Sequence, residues 1–111
     1  MDKTFFCVVL TTCPEAEQAK KLARSLVEAK LAGCVTVVPQ AISFYHWENK
    51  LEETPECMLV IKTRSRSLPS LMRFIKEKHS YSTPEIITLP IVEGDRSYLD
   101  WLGANTIFSL R

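Results

Sequence analysis

An α+β fold, two strand–helix–strand halves joined by a long hairpin, is predicted for this 111-residue chain by three features. The apolar stretch Phe5–Leu10 runs into an amphipathic stripe. A second such stripe runs into a further β-rich stretch near the C-terminal end. Between them lies an extended ribbon, Cys34–Thr63, with more apolar side chains than one small domain can shelter. The length suits a single domain, taken as residues 1–111.

Thr4 to Leu10 is nearly continuous in apolar character, as a central strand would be. Thr11, Thr12, Cys13 and Pro14 break it. Thr12 or Cys13 is expected to cap the next helix, with Pro14 in its first turn, where a missing N–H costs nothing. Glu15 and Glu17 suit the positive end of that helix dipole. Ala19, Leu22, Ala23, Leu26, Val27 and the stem of Lys30 recur at helical spacing and form an apolar stripe. Gly33 reads as the left-handed residue that ends the helix.

Pro39 cannot donate to a strand ladder, so a bulge or break is expected there, dividing the outgoing strand into pieces near 34–38 and 41–48. Glu48, Asn49 and Lys50 suit a bend. Leu51–Pro55 reads as a polar, acidic connection and Glu56–Thr63 as the return strand. Ser67 is the expected N-cap of a second helix whose apolar face is Leu68, Leu71, Met72, Ile75 and His79. Ser80–Pro84 reads as a loop and Glu85–Val92 as a last strand, at an edge or bulged because of Pro90. Gly94 and Asp95 open a third helix with Tyr98, Leu99, Trp101 and Leu102 expected to pack inward. This is the ferredoxin-like βαββαβ order with a long central hairpin and a short C-terminal helix, its crossover helices covering one face of a four-stranded sheet.

The ribbon carries Val35, Val37, Ile42, Phe44, Tyr45 and Trp47 outward, and Cys57 to Ile61 on the return. Successive strand residues point to opposite sides, so apolar groups fall on both faces. A strand of about fourteen residues reaches about 45 Å, against a radius of gyration near ~13 Å for a domain of this size. The tip must project into water or lie on another subunit. We expect the second, and hence self-association.

Composition excludes several classes. With 46% hydrophobic residues and a formal net charge of +1, the chain is neither disordered nor furnished with the basic patch that nucleic acid or an anionic membrane requires. The longest apolar run, about six residues, falls short of the ~20 of a membrane span. None of the four cysteines is spaced Cys-x-x-Cys, so a zinc or thioredoxin-type site is not expected, and cytoplasmic residence with free thiols is. Cys7, Cys34 and Cys57 sit in apolar strands, where reduced cysteine packs as a small hydrophobe. No serine nucleophile elbow, metalloprotease His-Glu-x-x-His or phosphate-binding glycine loop is visible; neither an enzyme nor an organic cofactor is expected.

Several words in order, Leu31-Ala32-Gly33-Cys34-Val35, Ser43-Phe44-Tyr45-His46-Trp47, Lys62-Thr63, His79-Ser80-Tyr81, Thr83-Pro84-Glu85-Ile86 and Tyr98-Leu99-Asp100-Trp101-Leu102, resemble the CutA family of divalent-cation tolerance proteins. The resemblance runs from about Phe6 to Leu102. It implies a ferredoxin-like homotrimer with arms wrapped on neighbours, akin to the trimer of PII signalling proteins, and a part in the response to copper or another divalent metal. Copper binding in the family is associated with a cysteine at the end of the first strand and a histidine pair after the second helix. Here the matching positions read Thr11, with Cys13 two residues on, and Lys78-His79.

His79 and Cys13 are accordingly the candidate metal ligands. Imidazole suits Cu²⁺ and thiolate is the metal-binding form of cysteine. Against this, His79 also closes the apolar stripe of a helix, and Cys13 also reads as a turn residue. His46 reads as a packed residue of an aromatic strand. The resemblance further implies an intersubunit cleft lined by Lys62, Tyr81, Glu85, Trp47 and Trp101. A Lys62–Glu85 pair there serves equally as a ligand-binding group or as structural glue. Three functions stay open: a non-enzymatic trimeric metal-tolerance protein with weak copper binding, a PII-like module taking a small anionic ligand through Lys62, and a structural trimer presenting loops to a protein partner.

Overall fold

The computed structural model describes residues 5–107. Its elements are β1 (Phe6–Cys13), α1 (Ala16–Glu28), β2 (Cys34–Trp47), β3 (Lys50–Arg64), α2 (Leu68–Lys78), β4 (Ile87–Pro90) and α3 (Arg96–Ala104), with a 3₁₀ turn at Ser65–Ser67 before α2. The sheet order is β2-β3-β1-β4 and every neighbouring pair is antiparallel, as the βαββαβ reading requires. The expected start of the first strand, Thr4, lies outside the described residues.

Strand periodicity decides where the core sits. Val9 and Cys13 of β1 and Cys57, Leu59 and Ile61 of β3 point to one face, where Leu22 and Leu26 of α1 and Leu71 and Ile75 of α2 cover them. Burying each such aliphatic side chain contributes roughly 1.5–3 kcal/mol. The alternate residues form the opposite face, which α1 and α2 leave open and α3 meets at the Phe6–Arg64 end. Val8, Leu10, Met58 and Val60 are only half-buried there, and Val38, Ile87 and Leu89 are exposed.

The arm is longer and more regular than expected. Leu51–Pro55 is not a connection but part of β3, pairing residue by residue with β2 as far as Trp47↔Lys50. Glu48 and Asn49 alone make the turn, with φ of 50° and 66°, the two left-handed residues of the tight hairpin loop that follows strand twist. Pro39 produces a bulge and not a break: pairing shifts between Val38 and Ala41, and Gln40 takes φ 62°. The arm stretches the chain to 43 × 29 × 28 Å.

Three helix ends differ from expectation. β1 runs through Thr11, Thr12 and Cys13, so α1 starts later, with Glu15 as N-cap and Pro14 outside its first turn. At its other end Lys30, not Gly33, takes the left-handed conformation, with φ 59°. Gly33 is required for space: a Cβ there would come 2.5 Å from Leu102 Cδ1 and 3.2 Å from the Leu102 carbonyl oxygen. Ser67 precedes α2 but its hydroxyl makes no cap bond; it donates to the carbonyl of Ile107. The last strand is four residues, at the sheet edge beside β1. In α3, capped by Asp95 accepting from the Tyr98 N–H, only Leu102 is fully buried; Tyr98 (42%), beside Cys34 of β2, and Trp101 (47%) stay partly exposed in the single chain.

Candidate functional site

A cleft of about 730 Å³ opens where the arm leaves the sheet. Its walls come from β2 (Ser43, Phe44, Tyr45, Trp47), from β3 (Glu52, Glu56) and from the loop after α2 (Ser80 to Thr83, with Glu85). The bulge at Pro39 sets this up. It adds one residue to β2, so that Ala41 meets Glu56 and Ser43 meets Thr54. Ser43 and Glu56 thereby reach the same side.

Glu56 is the organising group. It is 6% exposed. Ser43 Oγ donates to its Oε1 at 2.6 Å and Tyr81 Oη donates to its Oε2 at 2.9 Å. Both donors are neutral, and among the described residues no lysine, arginine or histidine pairs with this carboxylate. Buried carboxylates are usually paired with a cation or coordinate a metal, and Glu56 has no cationic side-chain partner among the described residues. Burial pushes the Tyr81 phenol up to about 12, and its hydrogen bond to Glu56 and the Glu56 charge add to the shift. Tyr45 Oη, further along the same wall, bonds Thr54 Oγ1 at 3.0 Å.

His79 sets the loop that carries Tyr81. Its Nδ1 accepts from the Tyr81 N–H at 3.0 Å, so Nε2 carries the proton and donates to the Thr12 carbonyl at 2.6 Å. The imidazole and phenol centroids lie 4.9 Å apart. The two expected metal ligands thus sit in surroundings set by the chain itself. Both ring nitrogens of His79 have protein partners, and it acts as a clamp between β1 and the cleft loop. Cys13 is not an exposed turn thiol but a fully buried strand residue. Burial pushes its thiol up to about 11, with Cys57 and Glu56 adding to the shift, away from the thiolate a metal needs. Among the described residues no three His, Cys, Asp or Glu side chains converge to hold a metal ion.

Of the five expected cleft residues, the single chain brings together Trp47, Tyr81 and Glu85. Lys62 is elsewhere. It lies on the sheet face away from α1 and α2, opposite Cys34 and Val8, and its ammonium donates to Thr36 Oγ1 at 2.8 Å and to the Val60 carbonyl at 3.4 Å. The Lys62–Glu85 pair is not made within one chain. Trp101 packs beside Tyr98, centroids 5.7 Å apart, outside the cleft walls. His46 is exposed on the arm. Sequence reasoning missed Ser43, Glu52 and Glu56 as site residues. One signal was available: with one bulge at Pro39 and a two-residue turn, counting pairs backwards brings Ser43 and Glu56 to one face.

A family model described as CutA1 divalent ion tolerance protein matches residues 7–105. The chain is 46% identical, over 89% of its length and 96% of the relative's, to the divalent-cation tolerance protein CutA of Thermus thermophilus. The crystal structure of CutA1 from Oryza sativa superposes with a TM-score of 0.91 at 43% identity, covering 93% of this chain and 94% of that one. A structure described as the periplasmic divalent cation tolerance protein CutA from Archaeoglobus fulgidus superposes with a TM-score of 0.85 at 38% identity, covering 87% of this chain and 94% of that one.

Proposed function

Since the chain belongs to the CutA1 divalent ion tolerance family, we propose that it acts as a non-catalytic, cytoplasmic homotrimer that engages a divalent cation weakly in the carboxylate-lined cleft. The family is described by divalent-ion tolerance and not by a catalysed reaction. The observation that carries the reading is Glu56, a buried carboxylate with neutral partners, accompanied in the cleft by Glu52 and Glu85.

This lining favours a cation over the alternative of a small anion held through Lys62, because three glutamates and no lysine or arginine line the cleft of the single chain. A coordination shell completed by water or by a neighbouring subunit suits weak binding. Copper(II) is the first ion to test, since it leads the affinity order of divalent first-row ions for a given N/O site. Assembly is supported by the exposed Phe44, Trp47 and Leu51 of the arm and by the exposed Val38, Ile87 and Leu89 of the sheet face that α1 and α2 leave open. Cytoplasmic residence is proposed from the cysteine spacing, which offers no Cys-x-x-Cys pair and places three cysteines in apolar strands, and fractionation of the native cell tests it against the periplasm.

Calorimetric titration of Cu²⁺ into wild type, Glu56→Gln, Glu85→Gln and His79→Ala tests the cleft. Binding is expected to weaken in both glutamate variants and to persist in His79→Ala. Equal binding by all four proteins would remove the cleft from the reading. Sedimentation of dilute wild-type protein tests the assembly, and a folded monomer overturns it.

A further inference from the structure

Cys13 and Cys57 stand directly opposite one another in the β1–β3 ladder. Both point to the helix-covered side of the sheet, with exposures of 0% and 6%. Opposed residues of an antiparallel pair have Cα atoms about 4.5–5.5 Å apart, inside the range of about 4.4–6.8 Å that disulfides span. The other two cysteines have no such partner. Cys7 lies opposite Thr63 and Pro90, and Cys34 opposite Lys62. All four thiols are free.

The pair also sits where the cleft is anchored. Thr12, next to Cys13, supplies the carbonyl that receives His79. Glu56, next to Cys57, receives Tyr81 and Ser43. A covalent link between the two strands at this register would fix the spacing of both anchors.

We propose that Cys13 and Cys57 form a reversible thiol–disulfide pair, closed by exchange with a small-molecule disulfide. Cys57, which keeps some exposure, reacts first. Its thiolate attacks one sulfur of the small disulfide, releasing one small thiol and leaving a mixed disulfide on the protein. The Cys13 thiolate then attacks the Cys57 sulfur and displaces the second small thiol. The cysteines lose two electrons, the small disulfide gains them, and the two cysteine protons end on the two released thiols. The pair stays open in a reducing compartment and closes in an oxidising one. Exchange speeds up with rising pH, since the thiolate is the attacking form. This inference stands apart from the cation-binding reading, because neither its chemistry nor its test involves a metal.

The test equilibrates reduced, folded wild-type protein with oxidised glutathione at mildly alkaline pH and reads the intact mass. The expected result is the loss of two hydrogens, with the bond mapped to Cys13–Cys57 by fragmentation of the joined peptides. Cys7→Ala and Cys34→Ala keep this loss. Cys57→Ala abolishes it, and Cys13→Ala stops at a glutathione adduct on Cys57. Circular dichroism identifies any variant that has not folded, and the wild-type result stands without the variants. A folded wild-type protein that loses no hydrogens until urea unfolds it overturns the proposal. So does a bond that maps to Cys7 or Cys34.

Discussion

Tyr81 donates its phenolic hydrogen to Glu56 at 2.9 Å, joining the loop after α2 to the third strand across 25 positions of sequence. The bond fills one oxygen of a buried carboxylate whose other oxygen is held by Ser43. Tyr81→Phe therefore leaves Glu56 short of a donor while keeping the ring. The expected cost is about 1–3 kcal/mol, the range for a buried polar group that loses its partner. Urea unfolding of Tyr81→Phe, Glu56→Gln and the double variant measures the coupling, expected at about 0.5–3 kcal/mol for residues in direct contact. A coupling of zero would mean that the bond does not hold the cleft loop.

Gly33 and Lys30 divide between them the work that the sequence assigned to one glycine. Gly33→Ala drives a methyl group toward the fully buried Leu102. Overpacking of this kind costs about 1–3 kcal/mol. Lys30 carries a side chain in left-handed backbone, φ 59°, at a steric cost of roughly 1–2 kcal/mol. Lys30→Gly relieves it, and the gain is partly offset by the freer unfolded chain, so a rise of about 0.5–1 kcal/mol is expected. Thermal unfolding of the two variants should therefore shift in opposite directions.

The order of elements was legible because each signal is local. The stripes of α1 and α2, the β-rich runs of β1 and β3 and the proline of the edge strand all declare themselves within a few residues. The acidic segment Leu51–Pro55 was misread because charge usually marks a connection, whereas here Glu52 and Glu53 lie on an arm with little core beneath it. Glu56 was out of reach for the same reason. Its partners depend on register, and register depends on the bulge at Pro39 and the turn at Glu48–Asn49. The metal reading of His79 rested on its residue type and on its place after the second helix in the resemblance. Which atoms occupy its two nitrogens is a tertiary fact, set by the Thr12 carbonyl and the Tyr81 N–H.

Three buried or half-buried acids hold their protons more tightly in the folded chain. Burial pushes the thiols of Cys7 and Cys13 from 9.0 to about 11, and the phenol of Tyr81 from 10.0 to about 12. The unfolded chain releases these protons first, so between these values the folded state binds more protons than the unfolded one. Their contribution is fully present below about pH 9 and is lost as pH rises through about 11 to 12. The urea midpoint of wild-type protein should fall over this window. Cys7→Ala combined with Cys13→Ala should flatten the early part of the fall and leave the later part, which belongs to Tyr81. An identical pH profile for the double variant would show that the thiols do not contribute.

Phe44 (64% exposed) and Leu51 (69%) lie at the far end of the arm, where a lone chain leaves them in water. A glutamate at either position should then cost a monomer almost nothing, since substitutions away from packed groups usually stay within about 0.5 kcal/mol. In an assembly whose arms lie on neighbouring subunits, the same glutamate is buried against an apolar surface and opposes association. Phe44→Glu and Leu51→Glu are thus expected to keep the wild-type circular dichroism, to sediment as smaller species and to show a melting temperature that depends on protein concentration. Arg24→Ala, on the exposed side of α1, serves as the control and should sediment as wild type does. If both arm variants sediment unchanged, the arm tip is not a subunit contact, and its exposed aromatic groups need another explanation.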